Sequence, residues 1–210
     1  MKTAVVLGMR SGTSLIASIL NTWGVKMGEQ FQGGDEYNRK GYFEDLALYH
    51  QIKNIIGDRF ERIEQLQYIS IADLRELKAL LESKFDELWG FKIPDAVFIL
   101  ELLDILIPNP HYIVCMRHIG DMVKSLERVK YHRYPHGFDS VDYCIKYQDL
   151  MSDGVRGKNH IVFNYEDVLR YPVEELTQLK DFLGLEMNDT LFNQGVDLIK
   201  PELRHYAYNI

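Results

Sequence analysis

The 210-residue sequence has only two cysteines, six prolines and no excess of positive charge. Cys115 and Cys144 are too few for a disulfide framework, so apolar packing must hold the fold, and a reducing compartment is expected. Lys and Arg total 24 against 31 Asp and Glu, a net charge of −7, which argues against the broad basic face of a nucleic-acid-binding protein. Long apolar runs are missing too. The first, Ala4 to Leu7, closes at Gly8 and Arg10, short of a membrane span or a signal peptide's apolar core. The expectation is a soluble, cytoplasmic protein with no integral membrane segment and no nucleic-acid partner. A Walker A lysine is also absent. Three residues, not four, separate Gly8 from Gly12, and Thr13 stands where the lysine would be, which argues against an ordinary nucleoside triphosphatase.

What is present is 46% apolar and 26% charged sequence, an ordinary globular balance. A chain of this length buries roughly 70% of the surface its unfolded form exposes, enough to fold without a metal or disulfide staple. No repeat, low-complexity stretch or linker divides it, so a single domain over 1–210 is expected.

Ala4 to Leu7 is a continuous apolar run with β-branched residues, followed by the turn Gly8 to Ser14 and by Leu15, Ile16, Ile19 and Leu20 at helical spacing. The pattern predicts a buried strand, a tight turn and a helix capped by Ser or Thr, and hence a parallel sheet covered by helices. Lys26 to Gly41 reads as a long loop. Helices are predicted over 43–56, 71–88, 95–107, about 120–130, 137–153 and 172–183. Extended segments are predicted at 89–94, 111–116 and 160–164. The fold class is therefore α/β, a three-layer α/β/α arrangement around a parallel sheet. The stripe Leu74, Leu77, Leu81, Phe85 and Leu88 reads as core or an interface, and Cys115 as a buried small hydrophobe.

Ligands of open parallel sheets gather at the carboxyl ends of the strands, and three such ends carry chemistry. In Gly8 to Ser14 the glycines let backbone approach a ligand closely. Thr13 and Ser14 add hydroxyls, the following helix offers N–H groups and a positive dipole end, and Arg10 adds a cation, which together describe a phosphate or sulfate cradle. Arg117 follows the 111–116 strand directly, with Ser125 eight residues on; an arginine there can present its fork to a phosphate. Lys92 ends the short extended segment among Trp89, Phe91 and Ile93, as a snorkelling lysine or as a cation in the crevice. His132 and His136 are four apart, but Pro135 lies between them and no acidic or cysteine cluster accompanies them, so no metal is expected.

Taken in order, these segments resemble the sulfotransferases that use 3′-phosphoadenosine 5′-phosphosulfate (PAPS), proteins of a P-loop NTPase-like fold. Gly8-Met9-Arg10-Ser11-Gly12-Thr13-Ser14 resembles that family's 5′-phosphosulfate loop, with Arg10 where many members carry lysine. Tyr112 to Ser125 resembles its 3′-phosphate segment. Asn38-Arg39-Lys40-Gly41-Tyr42-Phe43-Glu44 and Phe91-Lys92-Ile93-Pro94 are similar to stretches of the bacterial branch. So are Asn164-Tyr165-Glu166-Asp167 and Asp181-Phe182-Leu183-Gly184-Leu185.

The resemblance implies transfer of a sulfuryl group from PAPS to a hydroxyl or amine of a small molecule, glycan or lipid, without a metal. Arg10, Ser11, Gly12, Thr13 and Ser14 would hold the 5′ end, Lys92 the bridging or transferred oxygens, and Arg117 and Ser125 the 3′-phosphate. Arg204 would close over the cofactor. Cytosolic members carry a histidine two residues after the counterpart of Lys92, where this chain has Pro94. Other branches use a glutamate in the region after the first helix, so the resemblance assigns the general base first to Glu44, with Glu36, Asp35, Glu29 and His50 as alternatives. Tyr165-Glu166-Asp167 is read as positioning the next helix. The acceptor would meet the 26–42 loop and the 130–140 region. Two other functions fit the same sheet: a nucleoside or small-molecule kinase, or a non-catalytic nucleotide-binding or assembly protein. Convergence of Arg10, Lys92 and Glu44 on one cleft would favour transfer chemistry.

Overall fold

Thr3–Leu7 forms β1, and every residue of it is buried. A strand can be apolar throughout only if both of its faces are covered, and successive side chains of β1 enter different cores. Val5 and Leu7 join one cluster with Phe91, Tyr112 and Val114. Ala4 and Val6 join a second with Ile113, Cys115 and Phe163. The computed structural model of the chain describes residues 2–31, 33, 41–57, 68–84, 88–133 and 138–200, without the side chains of 130–133.

Helix α1 (Thr13–Thr22) follows β1. Then come α2 (Leu46–Ile56), α3 (Ile71–Glu82) and β2 (Trp89–Lys92). A 3₁₀ turn over Pro94–Ile99 leads into α4 (Leu100–Leu106) and β3 (Pro110–Met116). Helices α5 (Ile119–Arg133) and α6 (Ser140–Gly154) precede β4 (His160–Asn164). Three more complete the chain: α7 (Tyr165–Arg170), α8 (Pro172–Leu183) and α9 (Asp189–Val196).

The four strands form one parallel sheet in the order β2-β1-β3-β4. Residues of α2 to α6 fill the first cluster, and those of α1, α8 and α9 the second, giving three layers. The chain leaves β1 for β2 on one side and comes back to β3 on the other. The crevice beyond the carboxyl ends of β1 and β3 is thus the topological switch point, where such sheets bind ligands.

Three local expectations need correction. The apolar run 95–107 is not one helix. Tyr147 Oη donates to the Pro94 carbonyl at 2.8 Å and Lys53 holds Asp95 at 2.6 Å, so the first turn is fixed from outside. Ala96, Val97, Phe98 and Ile99 are all buried, which a one-faced α-helix cannot provide, and the tighter turn does. The α3 helix ends at Glu82 rather than 88, with Leu77 and Leu81 buried and Leu88 part-exposed outside it. The cap of α1 is neither Ser nor Thr but Gly12, in the left-handed region at φ 85° with no side-chain cap.

Candidate active site at the switch point

The turn after β1 is shaped by two glycines. Gly8 has φ 137°, and a Cβ there would lie 2.6 Å from the Cys115 carbonyl oxygen of β3. At Gly12 a Cβ would lie 2.3 Å from the Tyr165 ring. Both positions therefore demand glycine for conformation and for space. Between them Arg10 adopts φ 55°, a conformation that costs an L-residue about 1–2 kcal/mol and that neighbouring contacts must stabilise. Its Nε donates to Ser125 Oγ at 2.8 Å, and its carbonyl accepts from Arg117 Nη1 at 3.3 Å. Ser11 is buried, and its Oγ has no hydrogen-bond partner. The first turn of α1, with Thr13 buried and Ser14 half-buried, carries no acidic residue.

Arg117 sits just beyond β3, its side chain only 7% exposed. Its guanidinium carbon lies 4.7 Å from the centre of the Tyr165 ring, a cation–π contact. Gln148 of α6 donates to the Arg117 carbonyl at 3.0 Å and so fixes this strand end. Arg117 Nε and Nη2 are buried without a hydrogen-bond partner. A buried guanidinium with unused donors is costly unless an anionic partner meets it.

The third strand end holds an ion pair. Lys92 Nζ donates to Glu44 Oε1 at 2.5 Å, with both side chains under a tenth exposed. Glu44 reaches this position because Asp45 caps α2, accepting from the Leu48 and Glu29 amides at 3.0 Å each. Phe43, just before it, has φ 53° and packs against Phe31. Burial pulls the Lys92 ammonium below its ordinary range; the Glu44 carboxylate offsets part of this, and the nearby charge of Arg10 adds to the lowering. The Tyr42 ring lies 5.8 Å from Lys92 Nζ. Burial lifts the Cys115 thiol to about 12, so it is no thiolate nucleophile.

Arg10, Arg117 and Ser125 are thus joined beyond the carboxyl ends of β1 and β3, with Ser11, Gly12, Thr13 and Ser14 following Arg10 in the turn, and Arg10 lies within electrostatic reach of the Lys92–Glu44 pair. Of the alternative bases, Glu29 is exposed and faces Lys26 and Lys84, and His50 is exposed beside Tyr49. Asp35, Glu36 and Arg204 lie outside the described residues. Two neighbours escaped the sequence reading. Tyr165 and Glu166, taken there only as positioning a helix, flank Arg117, with Glu166 Oε1 4.0 Å from Arg117 Nε. The signal was available, since Tyr165 follows β4 directly, at the same end of the sheet as the other three turns.

A model of the sulfotransferase family matches residues 4–189, and the chain belongs to that family. The sulfotransferase domain of the Synechococcus PCC 7002 olefin synthase shares 18% identity and a TM-score of 0.57, over 99% of this chain and 83% of that one. The sulfotransferase domain from the curacin biosynthetic pathway shares 17% identity and a TM-score of 0.58, over 90% and 75%. Mouse sulfotransferase SULT7A1, solved in complex with PAP, shares 11% identity and a TM-score of 0.56, over 95% and 64%. The fold is the P-loop-like sulfotransferase fold. No curated protein matches the sequence significantly.

Proposed function

We propose that this protein transfers a sulfuryl group from PAPS to a hydroxyl or amine of a small-molecule, glycan or lipid acceptor. The observation that carries the reading is the convergence of Arg10, Arg117 and the buried Lys92–Glu44 pair at the switch point of the sheet. The kinase reading lacks the Gly-Lys-Ser/Thr of a triphosphate loop, since Thr13 follows Gly12, and a non-catalytic assembly protein does not require the convergence.

The residues fit the donor. Ser11 Oγ and Arg117 Nε and Nη2 are buried hydrogen-bond donors without partners, as expected of a pocket whose anionic ligand supplies the acceptors. Bound there, PAPS supplies a sulfuryl group that passes to the acceptor oxygen or nitrogen while the adenosine bisphosphate leaves. Arg117 and Ser125 hold the 3′-phosphate. Ser11, Thr13, Ser14 and the amides opening α1 hold the 5′ end, with Gly12 turning the backbone between them. Arg10 spans both halves, its guanidinium directed to Ser125 and its backbone within the turn.

Lys92 and Glu44 divide the chemistry. The Lys92 ammonium offers positive charge where negative charge accumulates, and its burial strengthens that interaction relative to water. Glu44 takes the proton of the acceptor. Its bond to Lys92 engages Oε1 and holds the carboxylate in one orientation for that transfer.

Isothermal titration with 3′-phosphoadenosine 5′-phosphate (PAP), ADP and Mg·ATP tests the reading. PAP should bind in the micromolar range and ADP much more weakly. Arg117→Ala should lose roughly one to two decades of PAP affinity, as expected for charge-assisted bonds of about 1.5–3 kcal/mol. Absence of PAP binding would overturn the proposal.

A further inference from the structure

Arg117 and Glu166 form an ion pair that does not close. Arginine and a carboxylate that meet freely form a bidentate contact at about 2.7–2.9 Å. Here Arg117 Nε and Glu166 Oε1 stand 4.0 Å apart, too far for a hydrogen bond. Each of the facing atoms is buried, and neither has a hydrogen-bond partner; Arg117 Nη2 shares that state. The fork is already held elsewhere, by the Arg10 carbonyl at Nη1 and by the Tyr165 ring beneath it. Glu166 is therefore not needed to orient Arg117. It opposes the one edge of the guanidinium, Nε with Nη2, that is left to receive a ligand.

We propose that Glu166 is a counter-anion built into the 3′-phosphate pocket, which neutralises Arg117 in the free protein and limits how tightly the pocket holds a phosphate dianion. This rests on the reading of the Arg117 pocket as the 3′-phosphate site. In the free protein the carboxylate lowers the cost of keeping a guanidinium buried. Once a 3′-phosphate takes the Nε and Nη2 donors, the same carboxylate lies beside a like charge and weakens the complex. Its effect falls on the ligand that leaves after transfer as well as on the donor, so Glu166 promotes product release. At 28% exposure of its side chain, solvent screens part of the repulsion, and an effect of about three- to tenfold in affinity follows.

The test is titration of wild type, Glu166→Gln and Glu166→Asp with PAP and with ADP, at pH 8. Glu166→Gln should bind PAP about three- to tenfold more tightly than wild type at pH 8, with ADP affinity unchanged. Glu166→Asp, which keeps the charge, should stay closer to wild type. Weaker or equal PAP binding by Glu166→Gln, or equal tightening toward ADP, would overturn the proposal while leaving the PAPS reading intact. If PAP binds neither wild type nor Glu166→Gln, the PAPS reading fails and this inference fails with it.

Discussion

The Arg10 guanidinium and the Ser125 hydroxyl are hydrogen-bonded at 2.8 Å across 115 residues of sequence, tying the turn after β1 to the helix after β3. Arg10 is held at φ 55° by this bond and by the Arg117 contact to its carbonyl. The two halves of the proposed anion pocket are therefore one mechanical unit, and a change on α5 should be felt in the turn.

Ser125→Ala leaves the Arg10 side chain without this acceptor. Hydrogen bonds to charged groups contribute about 1.5–3 kcal/mol, and partial exposure of Arg10 brings this one below that range. We expect a stability loss of about 1 kcal/mol in urea unfolding and about tenfold weaker PAP binding. In a double-mutant cycle with Arg10→Ala, the two changes should be clearly less than additive. Full additivity would mean that the bond does not couple the segments.

Gly12→Ala should be among the most damaging small substitutions in the chain. It places a methyl group 2.3 Å from the Tyr165 ring at φ 85°, and the two effects together should cost about 2–4 kcal/mol. The same substitution in a Tyr165→Ala background should recover the steric part and keep the conformational part. Denaturant midpoints of the four proteins check this. Equal costs in both backgrounds would place the whole effect in the backbone.

Lys92 and Glu44 are each buried with the other as charged partner. Removing one leaves an uncompensated buried charge, which typically costs about 3–5 kcal/mol. Lys92→Met and Glu44→Leu singly should therefore destabilise the fold strongly. The double variant should be more stable than either single one, and should transfer no sulfuryl group. Recovery of transfer activity in the double variant would remove both residues from the chemistry.

The same lysine sets a pH dependence. Burial holds its folded-state pKa below the unfolded value of 10.5. Between those two values the unfolded chain binds more protons, so Lys92's contribution makes stability rise with pH through that window. Activity moves the other way. In its proposed role Lys92 acts as a cation, so kcat/KM should fall on an alkaline limb lying below 10.5. A pH–rate profile flat to that value would show that Lys92 stays charged throughout or plays no part.

Much of the fold is legible in the sequence, because each strand is a short apolar run ending in a turn or a charge. Val5 and Val6 must both be buried, and only a sheet covered on both faces allows that. Missed were the short helices α7 and α9, of six and eight residues, whose length is too small for a 3.6-residue period to stand out. The break in 95–107 was hidden for a different reason: its cause lies in Tyr147 and Lys53, residues distant in sequence.

Among the site residues, Arg10, Arg117 and the Gly8–Ser14 turn could be picked out because residue type and place after a strand specify them locally. Lys92 was ambiguous, since a lysine among Trp89, Phe91 and Ile93 looks the same whether it snorkels or meets a carboxylate. Glu166 and Tyr165 read as ordinary helix-opening residues, and only the packing of β4 beside β3 brings them to Arg117.

By itself the sequence determined the strands, the glycine turn and the set of cations available to an anion, because these depend on neighbours within a few residues. Tertiary structure decided how those groups are used. Strand order places β1 between β2 and β3, and from that follow the bond from Lys92 to Glu44, the bond from Arg10 to Ser125, and the edge of Arg117 left facing Glu166. Hydrogen bonds act only within about 3.5 Å, so which donors are paired and which are left for a ligand is fixed when the strands assemble, and not before.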